Sequence, residues 1–143
     1  MRVVGSAIKE EEKGVMKREE HPIWITAEDC IDVKLIWEKK GEPTKFSLNY
    51  RALINGKMVE IYRVDNYHGF LHEQRYWRTP KPIPLEEHLP LKLIIKKYVN
   101  EIVLNHKQYR FYYEEKMKEE RNEENEDKRR TKHKRTEKKS RRH

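Results

Sequence analysis

One dipeptide constrains this chain more than any other feature. Asn55-Gly56 stands between two runs in which apolar and polar residues alternate. On the first side Phe46, Leu48, Tyr50, Ala52 and Ile54 alternate with Ser47, Asn49, Arg51 and Leu53, and residues 58–64 follow on the other. A type I′ turn needs positive φ at both central residues, which Asn and Gly adopt at least cost, so the two runs read as a β-hairpin. Ile31, Val33, Leu35 and Trp37 alternate with Asp32, Lys34, Ile36 and Glu38, the period of a half-buried strand, until Lys39-Lys40-Gly41-Glu42-Pro43 breaks it. A further strand is expected over residues 70–77, followed by a loop in which Pro80, Pro82 and Pro84 stop regular structure. Trp24, Trp37 and Phe46 are assigned to the core, because each falls on the inward set of an alternating run.

After Pro90 the period changes. Leu91, Ile94 or Ile95, Tyr98, Ile102, Asn105 or His106, Tyr109 and Tyr113 recur at steps of three and four, one stripe of a helix laid over the sheet. Residues 114–127 extend that helix through alternating Glu and Lys/Arg, with no stripe to bury. The expected fold is α+β: an antiparallel meander of four or five strands with a long C-terminal helix on one face. Residues 1–20 read as a flexible arm, 21–113 as the packed domain, and 114–143 as a charged helical extension ending in a disordered basic tail.

Charge separates the tail from the rest. The chain of 143 residues carries 33 Lys plus Arg and 25 Asp plus Glu. Ten of the bases (Lys128, Arg129, Arg130, Lys132, Lys134, Arg135, Lys138, Lys139, Arg141 and Arg142) fall in the last sixteen residues, with Glu137 as their one acid. That segment is +9 and the other 127 residues are −1. A polyelectrolyte of this kind binds RNA or DNA backbones by counterion release, so nucleic acid is the expected partner, RNA first. Solubility, an acidic protein or a charged membrane surface are the plainer uses of such a run. The single Cys30 excludes an internal disulfide or a Cys-based zinc site. No run approaches the roughly 20 apolar residues a membrane span needs, so a soluble, cytoplasmic protein without a membrane partner is expected. Two Gln and abundant Lys, Glu, Ile and Tyr fit an archaeal or thermophilic composition.

Reactive side chains concentrate between Tyr62 and Arg75. Arg63 and Asp65 are two apart on a strand and share a face, and a turn at residues 66–69 brings His68 and His72 back towards them. Two histidines, a carboxylate and an arginine are sufficient for metal-free cleavage of a phosphodiester. In that reading His68 and His72 exchange a proton with the 2′-hydroxyl and the leaving oxygen, Asp65 orients one of them, and Arg63 and Arg75 bind phosphate. Arg110 joins them if the helix packs over that face. No cofactor is called for; Asp65, His68 and His72 as two His and a carboxylate for a divalent cation are a weaker pattern, lacking preset helical spacing. The same residues have a structural reading: Arg63–Asp65 as an ion pair, Asn66 and Gly69 as turn residues, His72 as a satisfied half-buried ring. The turn directly after Asp65 suggests a half-exposed carboxylate. Tyr62, Tyr67, Phe70, Tyr76 and Trp77 around the motif are candidates for stacking on bases, though such residues more often belong to the core.

The stretch 46–77, with Tyr50-Arg51, the Asn55-Gly56 hairpin and Arg63-Val64-Asp65-Asn66-Tyr67-His68-Gly69-x-x-His72, resembles small bacterial and archaeal proteins built around an Arg-Tyr-Asp-x-x-His-Gly-x-x-His core. It is more distantly similar to the TumE family, assigned by inference as toxin components of toxin–antitoxin pairs. Asn105-His106-x-x-Tyr109-Arg110 resembles the Asn-x-x-x-Tyr-Arg of their closing helix. Val64 stands where Tyr is usual, and the Pro and further His of the TumE pattern are missing. The resemblance implies a toxin–antitoxin context with a cognate antitoxin, and the residue chemistry above makes the expected activity that of a ribonuclease; a non-catalytic module binding nucleic acid or protein is the alternative.

Overall fold

A computed structural model describes residues 14–141. Six strands, β1 (Lys17–Thr26), β2 (Asp29–Trp37), β3 (Lys45–Ile54), β4 (Lys57–Asp65), β5 (His72–Arg75) and β6 (Thr79–Pro84), form one antiparallel sheet in chain order, and α1 (Leu91–Arg141) follows. The α+β meander with a C-terminal helix is therefore as expected, with six strands in place of four or five.

The hairpin turns where the sequence places it. Asn55 and Gly56 both take positive φ, 52° and 79°, and Ile54 pairs with Lys57 across the turn. A Cβ on Gly56 would meet nothing within 4 Å, so a substitution there tests backbone conformation alone. Gly56→Ala should cost about 1–2 kcal/mol. A thermal melt should show this as a drop of about 5 °C; an unchanged transition would mean the turn relaxes to another type.

Period two then sets the core. Phe46, Leu48, Tyr50 and Ala52 of β3 face α1 and are fully buried, opposite Ile31 and Val33 of β2 and Tyr62 and Val64 of β4. Ile61 is an extra residue where the β3–β4 register slips, and this bulge turns it into the core as well. Ile94, Tyr98 and Ile102 of α1 close the layer at four-residue steps, with His106, Tyr109 and Tyr113 continuing the expected stripe.

Corrections are needed at three places, β1, β6 and the end of α1. Residues 17–20, read as part of the flexible arm, lie in β1, while residues 1–13 are outside the described part. β1 is an edge strand, mostly exposed, so its apolar signal is thin. Its inward positions are Ile23 and Ile25, which puts Trp24 on the other face at 56 % exposure and out of the core. Trp37 is half-buried, donating Nε1–H to the Gly41 carbonyl, and Phe46 is in the core as expected.

The second correction is β6, read as a proline loop. Pro80, Pro82 and Pro84 fall at every second position of an edge strand, where a missing N–H costs least. Leu85 donates its N–H to the Leu71 carbonyl at 3.0 Å, which turns the nitrogen of Pro84 towards the open edge, while between Ile83 and Thr79 the register slips and Lys81 donates its N–H to Thr79 Oγ1 at 3.2 Å. Proline is tolerated there, and it blunts the edge against further pairing.

The third is the helix. It runs through residues 128–141, where disorder was expected, and among the described residues its last hydrogen bond outside the helix is Lys116 Nζ to the Tyr76 carbonyl, in the β5–β6 turn, at 3.2 Å. Every residue from 117 to 133 is exposed. Residues 117–141 therefore extend about 38 Å at 1.5 Å per residue. No helix among the described residues is long and apolar enough to cross a membrane.

Candidate functional site

Because Val64 of β4 points into the core, Arg63 and Asp65 point to the face away from α1, and pairing of Asp65 with His72 puts that histidine beside them. The expected convergence of Arg63, Asp65 and His72 is present. Asp65 Oδ2 accepts from Arg63 Nε at 2.7 Å, and Oδ1 accepts the Tyr67 N–H at 3.0 Å. His72 Nε2 stands 3.4 Å from the same Oδ1, and its Nδ1 stands 3.3 Å from the Phe70 carbonyl.

The cluster is sealed. Asp65 is 1 % exposed and His72 2 %, so the half-exposed carboxylate suggested by the turn is not what forms. The turn itself supplies the cover. Asn66 anchors it, with Oδ1 accepting the Phe46 N–H at 2.8 Å and Nδ2 donating to the Thr44 carbonyl at 3.1 Å. Gly69 turns at φ 88°. Tyr67 and Tyr76 lie within electrostatic reach of both Arg63 and Asp65, and burial holds both phenols above their ordinary value.

His68 is exposed, its ring 6.0 Å from that of His72 with 24° between the planes, and Phe70 lies 5.1 Å from the same ring. Both nitrogens of His72 are thus turned to protein oxygens. A general base or acid needs a nitrogen within reach of the substrate, so His72 as placed orients and is oriented, and His68 is the ring a substrate would meet. A groove of about 650 Å³ opens between the 66–71 loop and the start of α1, lined by Phe70, Leu71, Glu87 and His88 among others, but neither Asp65 nor His72 lines it. Among the described residues no three His, Cys, Asp or Glu are grouped to hold a metal ion.

The other arginines of the proposed phosphate set lie elsewhere. Arg75 pairs with Tyr62, so it faces α1, where its Nε donates to Glu73 Oε1 at 2.9 Å. Glu73 is buried and accepts the Tyr62 hydroxyl at 2.6 Å. Burial and this hydrogen bond push the Tyr62 phenol well above its ordinary value. Arg110, on α1, donates to the Leu53 carbonyl at 2.7 Å and to Glu114 at 2.8 Å, and stands 3.6 Å from Asp29. Burial acts to raise Asp29, yet hydrogen bonds from Thr26 and Tyr50 and the Arg110 charge hold it below its ordinary value. Arg110 therefore ties the helix to one end of the sheet. Arg63, Arg75 and Arg110 do not converge.

Sequence reading missed Asn66 as an anchor and Tyr62–Glu73 as a buried pair. The signal for the second was present, since Glu73 and Arg75 are two apart on a strand and share the face opposite to His72. Of the stacking candidates, Tyr62 is buried, Phe70 is exposed, and Tyr67, Tyr76 and Trp77 are half-buried. No protein-family model, curated protein or solved structure matches the chain.

Proposed function

We propose that this chain is a nucleic-acid-binding protein that grips phosphate backbones with the basic end of α1, the sheet and the first half of the helix serving as its mount. One observation carries the reading: ten Lys/Arg against one acid in residues 128–143, at the end of a helix whose residues 117–133 are all exposed. The preceding stretch confines the contacts to that end, because residues 114–127 hold eight acids and three bases. Cations in the last turns also complement the helix dipole.

The test is the salt dependence of full-chain binding to an unstructured RNA. Each phosphate engaged contributes about 0.7 to the log–log slope on single strands, so six to ten of them should reduce affinity by about 300-fold to 10⁴-fold between 50 and 200 mM salt. A flat dependence would rule the reading out.

A second reading, a metal-independent ribonuclease of toxin–antitoxin type, is favoured by the exposed His68 ring beside the His72 ring that Asp65 holds. On this reading, expression in a heterologous host arrests growth and degrades RNA, and His68→Ala relieves both. Intact RNA with the wild-type chain removes it, and with it the case for a cognate antitoxin.

A further inference from the structure

We propose that the groove where the β5–β6 turn meets α1 is a stacking site for a base of single-stranded nucleic acid. The inference rests on reading the protein as a nucleic-acid binder and adds a second, chemically different contact to it.

The turn after β5, closed by the Arg78 N–H on the Arg75 carbonyl at 3.0 Å, swings Trp77 towards the helix. The indole lies 4.9 Å from the Tyr109 ring with 25° between the planes, 6.3 Å from Tyr62 at 25°, and 5.9 Å from Tyr112 at 39°. The rings form a ladder from the core to the surface. Tyr62 is buried, Tyr109 and Trp77 are half-buried, and Tyr112 is 40 % exposed. A base slid against the outer rings would prolong a stack that the protein has already ordered, so little further ordering entropy opposes binding.

The polar groups fit the rest of a nucleotide. The groove, about 460 Å³, is lined by Arg75, Trp77, Arg78, Gln108, Tyr109 and Tyr112, with no acid among these residues and two guanidinium groups, of which that of Arg75 keeps its Nε on Glu73. Arg75 lies 6.0 Å over Trp77 and 35 % of its side chain is exposed, while Arg78 is exposed and makes no ion pair among the described residues. Guanidinium forks suit phosphate oxygens, and Gln108, whose Nε2 donates to the Tyr112 hydroxyl at 2.7 Å, brings an amide to the edge of the ring. Tyr112 and Lys128 are sixteen positions apart on one helix, about 24 Å, so a strand of a few nucleotides can reach both.

The test uses the full chain carrying Trp24→Phe and Trp37→Phe, so that Trp77 is the remaining indole, with two ligands: an unstructured RNA oligonucleotide and inorganic polyphosphate, which has the charge but no bases. RNA should quench Trp77 fluorescence and polyphosphate should not. Tyr112→Ala, at an exposed position that the fold does not need, should weaken RNA binding about tenfold and leave polyphosphate binding unchanged. RNA binding without quenching, and unaltered by Tyr112→Ala, overturns the groove and leaves the basic end of α1 standing. Failure of both ligands to bind overturns both.

Discussion

Replacing Asp65 by Asn should lower the melting temperature by about 10 °C. The substitution keeps shape and the acceptor for the Tyr67 N–H, and removes only the charge that faces Arg63 and His72. Breaking a buried pair by removing one partner costs about 3–5 kcal/mol when the other is left without a counter-charge. Arg63 is 30 % exposed and can turn partly to water, which reduces the expected loss to about 2–4 kcal/mol. The corresponding shift for a chain of this size is about 10 °C. Had the carboxylate been half exposed, as the neighbouring turn suggested, the substitution would have been nearly silent in a melt. A transition within 2–3 °C of wild type, which is the scale of about 1 kcal/mol, would mean that the buried charges are not coupled.

The parts of the molecule that were legible are those where one period and one turn agree. Asn55-Gly56 and the even positions of β3 define a hairpin and its inward face together, and the stripe from Leu91 to Tyr113 identifies the helix that covers it. Arg63, Asp65 and His72 could be placed on one face because strand parity is strict and the turn is short. Parity also separates Arg75 from His72, since three positions on a strand reverse the face, and that step was legible but missed. The edge strands were hidden for a physical reason. β1 and β6 each have one neighbour and bury little, so charged residues in one and prolines in the other obscure the alternation. Burial of Asp65 depends on Asn66 reaching back to Phe46 and Thr44, across 20 and 22 positions that no local pattern encodes. The helix of residues 128–141 was hidden by its own charge, because a basic run without apolar groups has the composition of a disordered segment.

The largest effect on binding is expected from ending the chain after Asp127. That deletion removes +9 from a chain of +8 and leaves a body of −1, whose nearest helical segment is acidic. Affinity for generic RNA should fall by about 10³-fold or more at low salt, and the log–log salt dependence should flatten by about 0.7 for each phosphate no longer engaged on single strands, or 0.9 on duplex. Stability should not follow. Residues 128–133 are exposed, and no residue from 128 to 143 carries an apolar side chain, so the deletion uncovers no core. Parallel titrations of the full and shortened chains with one RNA, at two salt concentrations and alongside their melts, show whether the basic end of α1 is what holds phosphate. If it is, the shortened chain shows weaker RNA binding, a flattened salt dependence and a melting temperature within a few degrees of the full chain. Unchanged RNA affinity after the deletion, or a melting temperature lowered by many degrees, would contradict it.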